Sequence, residues 1–183
     1  MMQPCVLQSN IILTGYRATG KTTLAKRIAQ QLNCSAVDSD IVVEERAGCS
    51  IARLFAERGE PEFRRLEAET IRCILLGSKK VVLATGGGAP VNETTRRLLK
   101  ANGIVFWLQA SPETIYARMC GDRTTASRRP ALTDFDLLTE IKNVLKQREA
   151  CYREVAHFCV DTEKNSLDTA VQIILEQYAG YQK

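Results

Sequence analysis

Eight consecutive residues have the types and the spacing that hold a polyphosphate. The stretch Gly15-Tyr16-Arg17-Ala18-Thr19-Gly20-Lys21-Thr22 fits the pattern G-x-x-x-x-G-K-[ST] without a gap. In such a loop the glycines let backbone N–H groups turn toward phosphate oxygens, and the N-terminus of the next helix adds positive partial charge. The lysine reaches the β- and γ-phosphates, and the last hydroxyl can join a magnesium shell. The loop therefore predicts a nucleotide site.

The residues on either side of this loop predict a strand and a helix. Directly before it, Ile11-Ile12-Leu13 is apolar and short enough to be a buried strand. After it, apolar residues recur at helical spacing: Leu24, Ala25, Ile28, Ala29 and Leu32. A strand that enters the loop and a helix that leaves it are the context in which this pattern binds phosphate.

An acidic pair follows the second predicted strand. Ser35-Ala36-Val37 leads into Asp38-Ser39-Asp40, and two carboxylates at positions i and i+2 of a strand end point to the same side. Acids at the carboxyl end of a strand lie where ligands bind in open α/β sheets. The alternative is a polar turn that caps the next helix. In a nucleotide-binding protein the pair is predicted to serve the ligand.

Three glycines and two arginines form a second set of candidates. The apolar run Val81-Val82-Leu83-Ala84 predicts a buried parallel strand, and Gly86, Gly87 and Gly88 follow it. Glycines at a strand end remove side chains where another group must approach the backbone, although a flexible turn is the alternative. Arg64 and Arg65 begin a helix after Pro61, and one of them points away from its apolar stripe. From spacing alone, a solvated surface charge is the default interpretation of such an arginine.

A basic segment without periodicity separates two predicted helices. Between Cys120 and Thr133 the helical pattern is lost, and the arginines around it are Arg118, Arg123, Arg128 and Arg129. Such a segment is typical of a lid that closes over phosphates. A surface loop without a ligand is the alternative.

Composition limits the partners and the compartment. The net charge of +4 is spread along the chain, which predicts a basic pocket for anions and no nucleic-acid partner. No apolar run approaches the roughly 20 residues that cross a bilayer, and residues 1–10 lack a secretion signal. The seven cysteines form no C-x-x-C pair and are predicted to be reduced, partly buried thiols. We therefore expect no membrane partner and a cytoplasmic protein.

Five predicted strands alternate with helices along 183 residues. This order predicts an α/β fold, three-layer α/β/α, with a five-stranded parallel sheet in a single domain over 1–183. A helical substrate-binding insertion is expected at about 41–68 and the lid at about 119–134. His157 directly precedes the last strand and is predicted to be structural. The absence of a coiled coil or a long apolar edge favours a monomer.

Several of these stretches together resemble the shikimate kinase family, small P-loop phosphotransferases with a nucleoside-monophosphate-kinase-like fold. They occur in the family's order and span nearly the whole chain. The matching stretches are Gly15 to Thr23, Asp38-Ser39-Asp40, Gly59 to Glu67, Thr85 to Gly88, Arg129-Pro130 and Arg148 to Arg153. The chain departs from the family pattern at Ala18, where the family often has glycine, and at Ala131, where R-P-L-L is more usual.

The resemblance implies transfer of the γ-phosphoryl of ATP to the 3-hydroxyl of shikimate, with Mg²⁺ as the cofactor. It implies that Asp40 assists proton removal from the attacking hydroxyl and that Asp38 acts on magnesium through water beside Thr22. The implied catalytic residues are Lys21, Asp40 and Arg129. The implied ATP-binding residues are Gly15, Ala18, Thr19, Gly20, Lys21, Thr22, Thr23, Arg118 and Arg129. The implied shikimate-binding residues are Asp40, Arg64, Gly86, Gly87, Gly88 and Arg148.

Two rival interpretations remain open at this point. A related kinase for gluconate or a nucleoside monophosphate would keep the loop and the lid but has no need for two arginines that meet one carboxylate. A nucleotide-dependent regulatory module without phosphoryl transfer could omit both the acidic pair and the lid arginines.

Overall fold

The computed structural model describes residues 8–121 and 137–181, and a five-stranded sheet lies at its centre. The strands are β1 (Asn10–Thr14), β2 (Ser35–Asp38), β3 (Val81–Ala84), β4 (Gly103–Gln109) and β5 (Phe158–Asp161). Their spatial order is β2-β3-β1-β4-β5, and every neighbouring pair is parallel. The predicted fold class is therefore confirmed.

Helices cover both faces of the sheet. They are α1 (Lys21–Leu32), α2 (Ser39–Ala47), α3 (Ile51–Leu75), α4 (Glu93–Ala101), α5 (Pro112–Gly121), α6 (Leu137–Val155) and α7 (Leu167–Tyr181). Because side chains alternate along a strand, Ile11 and Leu13 of β1 face α1 and α7, whereas Ile12 faces α3, α4 and α6. All three side chains are fully buried, so β1 is the apolar centre that presents the phosphate loop at its end.

The segment between β2 and β3 consists of the helices α2 and α3. At Gly59 the first half of α3 stops, and the helix resumes at once as its second half. Gly59 breaks its regularity with a φ of 77°, and Pro61 lies in the first turn after the break, where its missing N–H costs no helical hydrogen bond. Leu54 before the bend and Phe63 after it belong to one apolar cluster, whereas the end of α3 packs on the sheet.

Ser50 caps α3, since its hydroxyl accepts the N–H of Arg53 at 3.3 Å. Gly103 opens β4. His157 is structural, because its Nδ1 accepts the N–H of Val105 at 3.0 Å and burial lowers its pKa. Three thiols are more exposed than predicted, Cys73, Cys120 and Cys159, whereas Cys34, Cys49 and Cys151 are partly buried as predicted.

The predicted lid falls largely outside the described residues, which stop at residue 121 and resume at residue 137. The arginines predicted there, Arg123, Arg128 and Arg129, are therefore not placed. In the described part of the chain, no helix combines the length and the apolar character that a membrane crossing requires.

Candidate active site

The strand order brings three of the predicted features to one edge of the sheet. β1 lies beside β3, and β3 lies beside β2. Because the strands are parallel, their carboxyl ends lie at the same edge of the sheet. There the phosphate loop follows β1, Thr85-Gly86 follows β3, and Asp38 is the last residue of β2. Ligands of open α/β sheets bind outside this edge. The sequence features therefore converge on one candidate site.

Side chains of the phosphate loop donate hydrogen bonds to the loop's own backbone carbonyl oxygens. Lys21 Nζ donates to the carbonyl oxygens of Gly15 at 2.8 Å and Tyr16 at 2.7 Å, and Thr19 Oγ1 also donates to Tyr16 at 2.7 Å. Ala18 has a φ of 61°, in the left-handed region that disfavours a residue with a Cβ by about 1–2 kcal/mol. This strain explains why glycine is common at that position in the family that the sequence resembles.

Arg118, an implied ATP-binding residue, contacts the phosphate loop. Its guanidinium donates to the Ala18 carbonyl at 3.3 Å, to Thr162 Oγ1 at 3.1 Å and to the Thr162 carbonyl at 2.6 Å. An open cavity of about 380 Å³ lies here between the loop and the start of α7, lined by Thr19, Gly20, Thr23, Arg118, Thr162 and Asn165. Its position at the helical end of the phosphate loop suits the base of a nucleotide.

The acidic pair lies at a strand–helix junction, which corrects its predicted geometry. β2 ends at Asp38, and Asp40 is already in the first turn of α2, so the two acids do not share a strand end. Asp38 caps the helix, as the alternative interpretation has it, and it also contacts the phosphate loop. Its Oδ1 accepts the N–H of Asp40 at 3.0 Å and caps α2, while its Oδ2 accepts the hydroxyl of Thr22 at 2.6 Å. Asp38 therefore connects the acidic pair to the phosphate loop.

A cavity of about 280 Å³ lies over the phosphate loop and the acidic pair. Lys21, Thr22, Asp38 and Asp40 line it together with Thr85 and Gly87. The loop residues Lys21 and Thr22 thus share this space with two carboxylates, and these residue types suit a magnesium–polyphosphate complex.

The three glycines are sites of close approach, as predicted. A Cβ on Gly86 would lie 2.6 Å from both Asp40 Oδ1 and Glu67 Oε1, and one on Gly88 would lie 2.6 Å from Arg64 Nη1. Side chains of this protein therefore occupy the space that the missing Cβ atoms leave. The Gly86 N–H also donates to Ser39 Oγ at 2.9 Å, which ties the glycine turn to the acidic segment.

Arg64 and Arg148 line a second cavity of about 280 Å³ next to the first. Arg64 donates to Glu67 Oε2 at 2.7 Å and to Glu60 Oε1 at 3.2 Å. Burial opposes the charge of Arg64, but these carboxylates outweigh that effect and raise its pKa. Its side chain is 21% exposed, against 56% for Arg65, which identifies Arg64 as the arginine that faces the site.

Arg148 is placed on the opposite wall of this second cavity by α6. Its Nη1 donates to the Gly87 carbonyl at 3.3 Å, and Tyr152 Oη donates to the same oxygen at 2.5 Å. Burial raises the pKa of Tyr152 to about 12, so its hydroxyl remains a neutral donor at physiological pH. With Phe55, Phe63 and Val144 on its walls, the cavity offers apolar contact and two guanidinium groups to one small anion.

The site contains oxygen ligands that fit Mg²⁺. The Thr22 hydroxyl and the Asp38 carboxylate are 2.6 Å apart beside the phosphate loop, and both are hard oxygen donors. In the described ranges no group of three or more His, Cys, Asp or Glu residues could enclose a metal ion. Magnesium commonly takes one or two protein oxygens and completes its shell with phosphates and water.

The structure brings together the predicted site residues that it describes, whereas Arg129 lies outside the described residues. It also shows contacts that the sequence interpretation had not assigned, among them those of Arg17, Ser39 and Tyr152. Arg17 could have been noticed as a cation inside the phosphate loop. Ser39 and Tyr152 lie within stretches that match the family, but their residue types alone do not distinguish them from a turn residue and a core aromatic.

Comparison with known proteins identifies the class and then the family. The structure of a shikimate kinase from Acinetobacter baumannii in complex with shikimate superposes with a TM-score of 0.86 at 33% identity, over 94% of each chain. The shikimate kinase of Bacteroides thetaiotaomicron gives a TM-score of 0.84 at 30% identity, over 92% of this chain and 97% of the other. Together with the phosphate loop, this likeness defines a P-loop phosphotransferase of the nucleoside-monophosphate-kinase-like fold.

The sequence comparisons narrow this class. The family model for shikimate kinase matches residues 17–179. The shikimate kinase of Rhodopirellula baltica is 39% identical over 171 residues, which cover 93% of this chain and 91% of the relative. The chain belongs to the shikimate kinase family, and its activity is ATP-dependent phosphoryl transfer to a hydroxyl of shikimate.

Proposed function

We propose that this chain transfers the γ-phosphoryl of ATP to the 3-hydroxyl of shikimate across the boundary between its two adjoining cavities. The single observation that carries the proposal is that Asp40 lines the phosphate-loop cavity while its Oδ1 lies against Gly86, the neighbour of Gly87, which lines both cavities. Donor and acceptor can therefore meet at one carboxylate.

Arg64 and Arg148 bind the carboxylate of shikimate in this proposal. They lie in the same cavity but on different elements, α3 and α6, so a planar carboxylate can bridge them. Guanidinium groups make short, paired hydrogen bonds to carboxylates, and their rigid fork fixes the orientation of the ligand. Glu60 and Glu67 hold Arg64 in place, and the Gly87 carbonyl holds Arg148. A bound carboxylate then directs the ring hydroxyls of shikimate toward Asp40 and the glycine turn.

Asp40 accepts the proton of the attacking 3-hydroxyl. Its carboxylate lines the phosphate-loop cavity, and the absence of a Cβ at Gly86 leaves room for Asp40 Oδ1 against the glycine turn. Phosphoryl transfer requires little covalent chemistry from the protein, so holding this hydroxyl in line with the γ-phosphorus provides most of the catalysis. Transfer breaks the bond from the γ-phosphorus to the β–γ bridging oxygen and forms a bond to O3 of shikimate, and it leaves ADP.

Lys21 and the metal site neutralise the charge of ATP. Lys21 exchanges its two loop carbonyls for β- and γ-phosphate oxygens when the nucleotide binds. Thr22 and Asp38, the latter through water, hold Mg²⁺, which when bound screens the polyphosphate charge. Arg118 flanks the adenine, and Arg129 is proposed to bind phosphates from the lid at about 119–134. We further propose that the protein acts as a cytoplasmic monomer of one domain, without a nucleic-acid partner.

A substrate panel tests this function. With ATP and Mg²⁺, ADP release should rise with shikimate and stay at the background rate with gluconate, AMP or CMP. Chelation of Mg²⁺ should abolish the shikimate-dependent rate. A response to gluconate or to a nucleoside monophosphate, with none to shikimate, would contradict the proposed acceptor, and ATP binding without any transfer would favour a regulatory module.

A further inference from the structure

Arg17 occupies a position that the roles above do not explain. It is the only charged residue of the described chain that lines both the phosphate-loop cavity and the cavity of Arg64 and Arg148. Its side chain is 14% exposed, and its guanidinium carbon lies 5.7 Å from the centre of the Tyr16 ring. In the proposed function the phosphoryl group passes from the first cavity to the second. The Arg17 guanidinium therefore lies where this negatively charged group crosses.

A buried glutamate holds this guanidinium. Arg17 Nη2 lies 3.3 Å from Glu140 Oε1, and the Glu140 side chain is 2% exposed. Glu140 is in the first turn of α6, the helix that also carries Arg148 two turns later. The pair therefore fixes the phosphate loop relative to the helix that binds the acceptor.

The pair is incomplete, which separates it from a purely structural salt bridge. Arg17 Nε and Glu140 Oε2 are buried, and neither has a hydrogen-bond partner among residues 8–121 and 137–181. A structural pair of a guanidinium and a carboxylate gains most from two parallel hydrogen bonds, and burial without them is costly. Arg17 therefore keeps donor capacity for a further anion.

We propose that Arg17 binds the phosphoryl group during its transfer and in the product, and that Glu140 is the positioning residue that keeps the guanidinium at the junction. This proposal rests on the proposed function, because it takes the phosphoryl group to cross between the two cavities. Donors that are fixed before the reaction stabilise developing charge without reorganisation. The role is distinct from that of Lys21, which lines the phosphate-loop cavity but is not among the residues that line the cavity of Arg64 and Arg148.

Arg17→Met tests the contact with the phosphoryl group. We expect kcat to fall by about 100-fold with the KM values for ATP and shikimate changed by less than about threefold. In calorimetric titrations, the affinity for shikimate 3-phosphate should fall by about 30-fold and that for shikimate should not change. Arg17→Lys should recover part of kcat, and the exposed Arg27→Met on α1 serves as the matched control. Equal losses for shikimate and shikimate 3-phosphate would overturn the proposal.

A second variant separates this role from stability, because Arg17→Met leaves the buried Glu140 without that cation. The double variant Arg17→Met with Glu140→Gln removes both charges, and its rate is normalised to the fraction of molecules that bind ADP. We expect its kcat to stay near that of Arg17→Met, whereas a return to within about threefold of the wild-type kcat would overturn the proposal. Glu140→Gln alone should lower kcat about tenfold at unchanged KM. The substrate panel uses only the wild-type protein and therefore tests the proposed function independently of these variants. Either proposal can fail without the other.

Discussion

Asp40→Asn should lower kcat for shikimate phosphorylation by about 10³-fold, because the amide cannot accept the proton of the attacking hydroxyl. A positioned general base contributes about 10²–10⁴-fold, and the asparagine retains the volume of the aspartate. ADP should bind the variant as tightly as it binds the wild type, since Asp38, and not Asp40, contacts Thr22 of the phosphate loop. Steady-state kinetics together with an ADP titration measure the two effects.

Glu45→Gln is the matched control for this experiment. It also removes one carboxylate from α2, but Glu45 is exposed on that helix and is not among the residues that line either cavity. It should retain the wild-type kcat. If Asp40→Asn keeps more than about a tenth of the wild-type rate, another group accepts the proton, and Asp40 serves only to bind.

Arg148→Met should weaken shikimate binding by about 30- to 100-fold and leave ADP binding unchanged. Hydrogen bonds between charged groups contribute about 1.5–3 kcal/mol each, and each 1.4 kcal/mol is a factor of ten in affinity. Arg148 gives a cleaner test than Arg64, because it donates to a backbone carbonyl whereas Arg64 holds the buried carboxylate of Glu67. Calorimetric titration with each ligand measures the difference.

Two further variants on α6 sharpen this result. Arg153→Met removes an exposed arginine that pairs with Glu149 one turn away, and it should leave both affinities unchanged. Arg148→Lys keeps the charge but loses the planar fork, so its shikimate affinity should fall between those of Arg148→Met and the wild type. A parallel loss of shikimate and ADP affinity in Arg148→Met would show that the arginine supports the fold and not the acceptor.

Much of the site was predictable because its signals are local in sequence. The phosphate loop, the acidic segment and the glycine turn are each contiguous, and each follows a recognisable strand. Their convergence followed from the rule that parallel strands end at a common edge. The same local logic failed for Asp40, because capping by Asp38 starts the helix two residues earlier than a strand-end interpretation assumed.

What could not be predicted depends on contacts between distant parts of the chain. The Arg17–Glu140 pair joins residues 123 positions apart, and the hydrogen bond from Tyr152 to Gly87 spans 65 positions. No periodicity or spacing rule connects such residues, since their proximity arises only when α6 packs beside the phosphate loop. Arg64 illustrates the same limit. Helical spacing predicts only that its side chain points away from the apolar stripe. Its contacts with Glu60 and Glu67 become apparent once the helix is placed against the glycine turn.

A crystal structure of the protein with shikimate, ADP and Mg²⁺ tests the central claim most directly. We predict that the shikimate carboxylate lies within hydrogen-bonding distance of the guanidinium groups of Arg64 and Arg148. The 3-hydroxyl should contact Asp40 and point toward the β-phosphate of ADP, with Lys21 moved from the Gly15 and Tyr16 carbonyls onto the phosphates. A shikimate bound in the reverse orientation, or away from Arg148 altogether, would contradict the account.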